Sequence, residues 1–486
     1  MTSRWAAALT AVGALLAGCA PGPPPPAPPL RPELADKVTV DGVYRHLVEL
    51  QEIADANGGN RADGTPGFQA SVDYVAQLLR DNGFDVQTPE FERLTGSQGG
   101  TPALTVAGRH FRVDQASMMI TTAPGGLKAP TLRPRRPAGC TAADYGDVSV
   151  AGAIAVVDDS GCSIVAKHHV ALQEGAVGML VVSRATPTRP VGSPPTLFTT
   201  GYYTDLTIPV GVVDPAADAA LRRTESPVTL VLDNEPVLTT SRNVIAQTRT
   251  GDTQNVVVVG AHLDSVGSGA GINDNGSGVA AVLETAVQLG GEPQLTNAVR
   301  FAFWGAEEVS MDGSRKYLRS LREEQLDDIA LYLNFDMLGS PNAGYFTDDG
   351  DQSAQTGEII PAPEGSAGIE RTLAARLNMA GVRPADVPLQ RITDYAPFLA
   401  AGIPVGGLTT GSSQRKTDVQ ARLWGGEAGV PFDPNYHTRR DHLGNINRNA
   451  LAVMASSAAF AVGTYAESIE GVNGVPTRDR RDRRVP

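Results

Sequence analysis

The sequence predicts an α/β fold: a mostly parallel central sheet flanked by helices, interrupted by an inserted β-rich α/β unit. Three observations lead there. Residues 255–259, 299–304 and 329–335 are apolar, strand-like runs of the continuous kind that parallel strands buried on both faces require. Each is followed at once by residues that bear chemistry, and open α/β sheets place their sites beyond the carboxyl ends of their strands. Helical stretches accompany them: 279–289 follows the first run, and 44–56 and 68–82, joined by a loop at 60–67, lie ahead of the sheet and should pack on it.

In chain order, 486 residues call for two or three units. Arg4 precedes an apolar run from Trp5 to Leu16, too short to span a bilayer in the mature chain, and Leu15-Leu16-Ala17-Gly18-Cys19 looks like a lipobox. Residues 1–18 are therefore expected to be a lipoprotein signal peptide, with Cys19 lipid-modified. The globular part would be exported and held at the cell membrane on its extracytoplasmic side. Within a linker over 19–36, the proline tract from Pro21 to Pro32 reads as an extended, semi-rigid spacer. Residues 37–116 begin the main domain, and 117–235 form the insert, in which 152–158, 162–167 and 171–182 read as strand, helix and strand. His168 and His169, adjacent on that helix, point in different directions, which makes them poor ligands for one metal and places them on the surface. The main domain resumes at 236 and runs to 470. Residues 471–486, with five arginines and two aspartates between Arg478 and Arg484, read as a disordered tail.

With Cys19 used for the anchor, Cys140 and Cys162 are left, and they form either one disulfide in an oxidising compartment or two buried thiols. The net charge of -13 argues against nucleic acid as a partner and against electrostatic adhesion to anionic lipid. A dinucleotide loop at 267–271 is excluded by Asp264 and Asp274 on either side, since carboxylates there repel a pyrophosphate.

The chemistry-bearing residues are His262, Asp274, Glu308, Asp336 and His437, with a further carboxylate, Glu307, beside Glu308. Two zinc ions and a general base would require such a set. Adjacent Glu307 and Glu308 after a strand place like charges together, which costs energy unless cations compensate. Asp274 stands in a glycine-rich segment just before a helix, where a short carboxylate could reach two metals, and His437 would complete the second.

The same residues carry a family resemblance. GAHLDSVGSGAGINDNGSGVAAVLE at 260–284, WGAEE at 304–308, YLNFDMLGSPN at 332–342, APFLAAGIPVGGL at 396–408 and YHTRRDHLGNIN at 436–447 resemble, in order, the motifs of the bacterial di-zinc aminopeptidases of the aminopeptidase S and Y type. The resemblance covers roughly residues 40–470. It implies one zinc on His262 and Asp336, another on Glu308 and His437, Asp274 bridging them, and Glu307 as the base acting on peptides with a free N-terminus. It further implies that Tyr436 meets charge on the carbonyl oxygen and that Asp264 orients the His262 imidazole. The insert resembles the protease-associated domain, with a role in walling or gating the cleft. Two departures stand out: Arg391 lies one place earlier than the substrate-binding arginine of some relatives, and Asn435 and Arg440 stand where some carry a disulfide. No carboxylates at 449–454 offer a calcium site. Glutaminyl cyclases resemble the same fold but use one catalytic zinc, and a non-catalytic binding lipoprotein would have lost ligands that are intact here.

Overall fold

The computed structural model describes residues 30–183, 206–354, 360–471 and 474–486. The signal segment at 1–18, Cys19, most of the proline tract and residues 184–205 of the insert lie outside the described residues. The tract's last residues already belong to a helix, Leu30–Lys37, so the expected spacer ends earlier than Pro32.

An eight-stranded sheet forms the centre of the main domain. Across it the order is Asp85–Gln87, Val244–Gln247, Asn297–Trp304, Asp252–His262, Ile329–Phe335, Val405–Thr409, Phe346–Asp348 and Ala385–Val387. The four middle strands are mutually parallel, and antiparallel pairings occur only outside them. Both faces are covered, as the continuous apolar runs require: Val257, Val259 and Ala261 join a core beneath the helices Val40–Ala56, Pro66–Asp81, Gly278–Leu289 and Arg448–Glu467. Val256 and Val258 face a second core around Trp304, Tyr332 and Phe398. In that core the Trp304 indole donates to the Tyr332 hydroxyl at 2.9 Å, and Tyr332 stacks on Phe398 with ring centroids 3.8 Å apart. Gly260 makes this possible, since a Cβ there would lie 2.4 Å from the Tyr332 hydroxyl.

The insert has its own layers. A five-stranded sheet carries Ile154–Asp158, Gly178–Val182 and Val210–Val213 in parallel, and a four-stranded sheet lies against it. Leu104, Val106 and Val113 pack with Ile154, Val156 and Leu180, so the insert's core begins before the expected boundary at 117. A long antiparallel ribbon, Glu90–Gly99 with Asn234–Arg242, joins it to the main domain. The helix expected at 162–167 extends over Ile164–Gln173, and the strand expected from 171 begins only at Gly178, because the chain must first turn through Gly175 at φ +83°. His168 is a correction: it is buried, not on the surface, and its Nε2 accepts the Thr207 N–H at 3.0 Å, whereas His169 is exposed. Cys140 and Cys162 are joined as a disulfide.

The arginine-rich tail is a second correction. Arg481 is 9% exposed and donates to the carbonyls of Gln254, at 3.0 Å, and Asp327, at 2.6 Å, while Arg483 donates to those of Gly402 and Ile329. Composition predicted disorder, but guanidinium groups find the unpaired carbonyls ahead of the central strands.

The loop at 60–67 positions the site. Arg61 is wholly buried, and its guanidinium donates to the carbonyls of Leu263, Ala270 at 2.9 Å and Gly271 at 2.7 Å, while its N–H reaches Ser265 Oγ at 2.9 Å. These bonds shape the segment between His262 and Asp274. Replacing Arg61 by Met leaves the buried carbonyl oxygens of Leu263 and Ala270 unpaired, while that of Gly271 keeps the Gly276 N–H, and is expected to destabilise the protein by about 3–5 kcal/mol. A fall in the urea midpoint at unchanged m-value checks this.

Candidate active site

Three of the four parallel strands deliver ligand-type residues at their carboxyl ends. His262 ends its strand, Glu307 and Glu308 open the short helix Glu307–Ser310 after Trp304, and Asp336 follows Phe335. Asp274 reaches the same place from a loop fixed on several sides. Asn275 Nδ2 donates to the Phe335 carbonyl at 2.9 Å, and its Oδ1 accepts the N–H of Gly278 at 2.9 Å and of Met337 at 3.2 Å.

The loop carrying His437 has no disulfide. Two carboxylates hold it instead: Asp441 accepts the N–H groups of Asn273 at 2.7 Å and Asp274 at 2.9 Å, and Asp433 accepts from Asn273 Nδ2 at 2.6 Å. The two loops are thereby locked to each other. Asp433 and Asp441 were not singled out from the sequence, although Asp441 lies inside the quoted YHTRRDHLGNIN segment.

All six residues converge. His262 Nε2 lies 3.3 Å from Asp274 Oδ1, 3.5 Å from Asp336 Oδ1 and 3.9 Å from Glu307 Oε2. His437 Nε2 lies 3.1 Å from Asp274 Oδ2 and 3.0 Å from Glu308 Oε2. Asp274 thus turns one oxygen to each histidine, and His262/Asp274/Asp336 and Asp274/Glu308/His437 form two groups that could each hold a metal ion. The spacings suit one: ligands about 2.1 Å from a tetrahedral zinc stand about 3.4 Å apart. Buried oxygens of Asp274, Glu308 and Asp336 accept no hydrogen bond from the described residues, as expected of atoms shaped for a cation. A third acidic group, Asp349, Asp351 and Glu370, differs: Asp349 and Glu370 accept backbone N–H groups of Ser353, Ala354 and Asp351.

Electrostatics within the cluster follow from crowding. Burial, reinforced by Asp394, Asp336 and Glu308 and opposed by His262, pushes the Glu307 carboxyl well above its ordinary range. Burial and Asp274 raise Glu308. For Asp274 burial is outweighed by the close imidazoles of His262 and His437, which bring it down to about 2. The facing carboxylates of Asp274 and Glu308 raise His437 to about 10.

Asp264 departs from its expected role. The His262 Nδ1 faces the Asp264 backbone carbonyl at 3.0 Å, and the carboxylate, 3.8 Å away, instead accepts the N–H groups of Glu307 at 3.1 Å and Glu308 at 3.3 Å. Its carboxylate therefore fixes the helical turn that presents both glutamates, while its main chain sets the imidazole. Tyr436 stacks on His437 with centroids 3.8 Å apart, and burial raises its hydroxyl's pKa. Asp394, also missed, is buried and accepts from Ser314 Oγ at 2.5 Å. A cavity of about 600 Å³ opens on the cluster, and every residue lining it lies between His262 and His437. No described residue of the insert walls it, and Arg391 is exposed outside it.

Comparison with known proteins agrees with this architecture. Residues 243–462 match Peptidase family M28 and residues 127–221 match the PA domain. A probable lipoprotein aminopeptidase, LpqL, of Mycobacterium tuberculosis is 48% identical over 460 residues, 93% of this chain and 90% of that one. An aminopeptidase of Pseudomonas aeruginosa is 37% identical over 89% of this chain and 82% of its own, and leucine aminopeptidase 2 of Trichophyton rubrum is 33% identical over 93% and 89%. Among solved structures, an aminopeptidase from Aneurinibacillus sp. strain AM-1 shares the fold with a TM-score of 0.55 at 23% identity, over 90% of this chain and 96% of that one. With a relative this similar along almost its whole length, the chain belongs to peptidase family M28 and carries a PA domain.

Proposed function

We propose that this protein is a zinc-dependent aminopeptidase that removes single residues from peptide N-termini, using two zinc ions per chain. The observation that carries the reading is Asp274, with one carboxylate oxygen turned to each of two histidines, each flanked by a further acid. The aminopeptidase names of relatives along nearly the whole chain support it.

In this reading His262 and Asp336 would hold one ion, Glu308 and His437 the other, with Asp274 shared. Such a pair of ions would supply a water of near-neutral pKa and polarise the scissile carbonyl. Glu307 Oε2, 3.9 Å from His262 Nε2, is placed to accept the water's proton and to return it to the leaving amine. The Tyr436 hydroxyl, protonated at neutral pH and held so more firmly by burial, would donate to the developing oxyanion. Asp264 acts on geometry alone, through the two glutamate N–H groups.

Residues 37–116 and 236–470 would then form a discontinuous peptidase domain around the insert, with the boundary near 117 shifted as described. The lipobox-like segment, together with the lipoprotein name of the Mycobacterium tuberculosis relative, supports a lipid on Cys19 and an exported, membrane-anchored enzyme.

The reading is tested with soluble protein lacking the proline tract, comparing a leucyl anilide with its N-acetylated form before and after chelation and zinc return. Zinc-dependent cleavage of the free-amine substrate alone is expected; cleavage of neither, with zinc bound, overturns it. Glu307→Gln should lower kcat by about 10²–10⁴-fold with zinc still bound, whereas His262→Ala should lose metal too. Zinc uptake should also release protons. At pH 7 His437 is protonated in the metal-free chain, since its pKa is raised to about 10, and an ion at Nε2 must displace that proton. Apparent affinity should rise with pH through neutrality and flatten near pH 10, with proton release measured by calorimetry in buffers of different ionisation enthalpy.

A further inference from the structure

Across the cavity from the ligand cluster lies a carboxylate the mechanism does not use. Asp348 ends the strand Phe346–Asp348, which runs antiparallel to Val405–Thr409, itself parallel to Ile329–Phe335. Register pairs Thr347 with Leu408 and Asn334 with Gly407, so Asp348 lies two strands from Asn334, on a row two residue positions behind that of Asp336. Two strand spacings amount to about 10 Å. Gly407 leaves room for the group, since a Cβ there would lie 2.7 Å from Asp348 Oδ2.

Asp348 is 8% exposed and lines the cavity, and among the described residues its carboxylate has no hydrogen bond or ion pair. Other buried acids differ: Asp264, Asp433 and Asp441 each take N–H groups. A carboxylate this buried, with only the cavity open to it, is stabilised by a cation that meets it there. Among the described residues no cation pairs with it, and the lining Arg415 donates instead to the Gly429 carbonyl. Between Asp348 and the cluster the walls include Met337, Phe346, Leu408 and Phe432, surfaces suited to a methylene stem. A lysine side chain reaches about 6 Å from Cα to its ammonium, which spans most of the gap from a backbone held at the cluster. Burial, with Asp336 and Glu370, pushes the Asp348 carboxyl up to about 7, a shift that a bound ammonium or guanidinium would reverse.

We infer that Asp348 is the specificity residue for the departing N-terminal side chain, receiving its cationic end so that lysine and arginine are released in preference to apolar residues of equal length. The inference rests on the aminopeptidase reading of the same site.

The test measures kcat/KM of the zinc-loaded enzyme on lysyl, arginyl, norleucyl and leucyl anilides, with the wild type and Asp348→Asn. Norleucine matches the lysine stem without its ammonium, so the wild-type comparison needs no variant. The wild type should favour lysyl over norleucyl by about tenfold or more, and Asp348→Asn should lose about 10–100-fold on lysyl and arginyl substrates, mainly through KM, with norleucyl unchanged within about twofold. Norleucyl preferred by the wild type, or equal losses on both classes in Asp348→Asn, overturns the inference while leaving the aminopeptidase standing. Failure to cleave any of the four, with zinc bound, overturns both.

Discussion

Four carboxylates, Asp274, Glu307, Glu308 and Asp336, are gathered around two imidazoles at the carboxyl end of the sheet, and the surrounding structure holds them there against their own repulsion. Such a group would relax in a chain free to move, by protonation or by turning its acids to water. Here it cannot turn away. The parallel strands fix His262 and Asp336, the Asp264 carboxylate fixes the turn of Glu307 and Glu308, and Asp441 fixes the backbone of Asp274. Protons, held on the raised Glu307 and His437, or bound cations are the remaining ways to balance the charge.

The rigidity comes from buried polar bonds rather than a covalent bridge. Arg61 ties a loop of the first helical hairpin to the segment leading from His262 to Asp274, and Asp433 and Asp441 tie the His437 loop to the same segment. Burial lowers the Arg61 pKa to about 10, and Asp441, Asp264, Asp274 and Glu308 favour its charge and oppose that fall. A cation placed behind the acids, bonded to main-chain carbonyls and kept from the ligand oxygens, relieves part of their repulsion without occupying the site.

How far this was legible in the sequence depended on whether a residue's partners were local. The central strands and the cluster at their carboxyl ends were readable because continuous apolar runs end in the candidate ligands, and the helix after Asp274 because its periodicity is unbroken. Arg61 lies 202 residues from Leu263, and Asp441 lies 167 from Asp274, so nothing in their neighbourhoods announces the bonds they make. Asp264 was noticed for its place two residues after a histidine, but strand geometry turns its carbonyl to that imidazole and leaves its carboxylate for the neighbouring strand's helix. The tail failed for a related reason: composition counts arginines as solvated charge, whereas Arg481 is buried and Arg483 half-buried against carbonyls that only the folded sheet presents.

The position of Asp394 bears on how one carboxylate can serve as both base and acid. In the metal-free protein Glu307 is pushed up by burial and then by Asp394, Asp336 and Glu308, with His262 opposing. Asp336 and Glu308 are the acids whose charge bound cations would cancel, and those cations would also draw Glu307 towards its ionised form. Burial and Asp394 would remain, and Asp394, itself raised to about 7, accepts a hydrogen bond from Ser314 and belongs to neither candidate metal group. One influence therefore favours the carboxylate that takes a proton, and the other favours the acid that gives it back. A general base that must return its proton works best with a pKa near the working pH, and in the role proposed for Glu307 that balance would be set by acids of which the ions would neutralise only some.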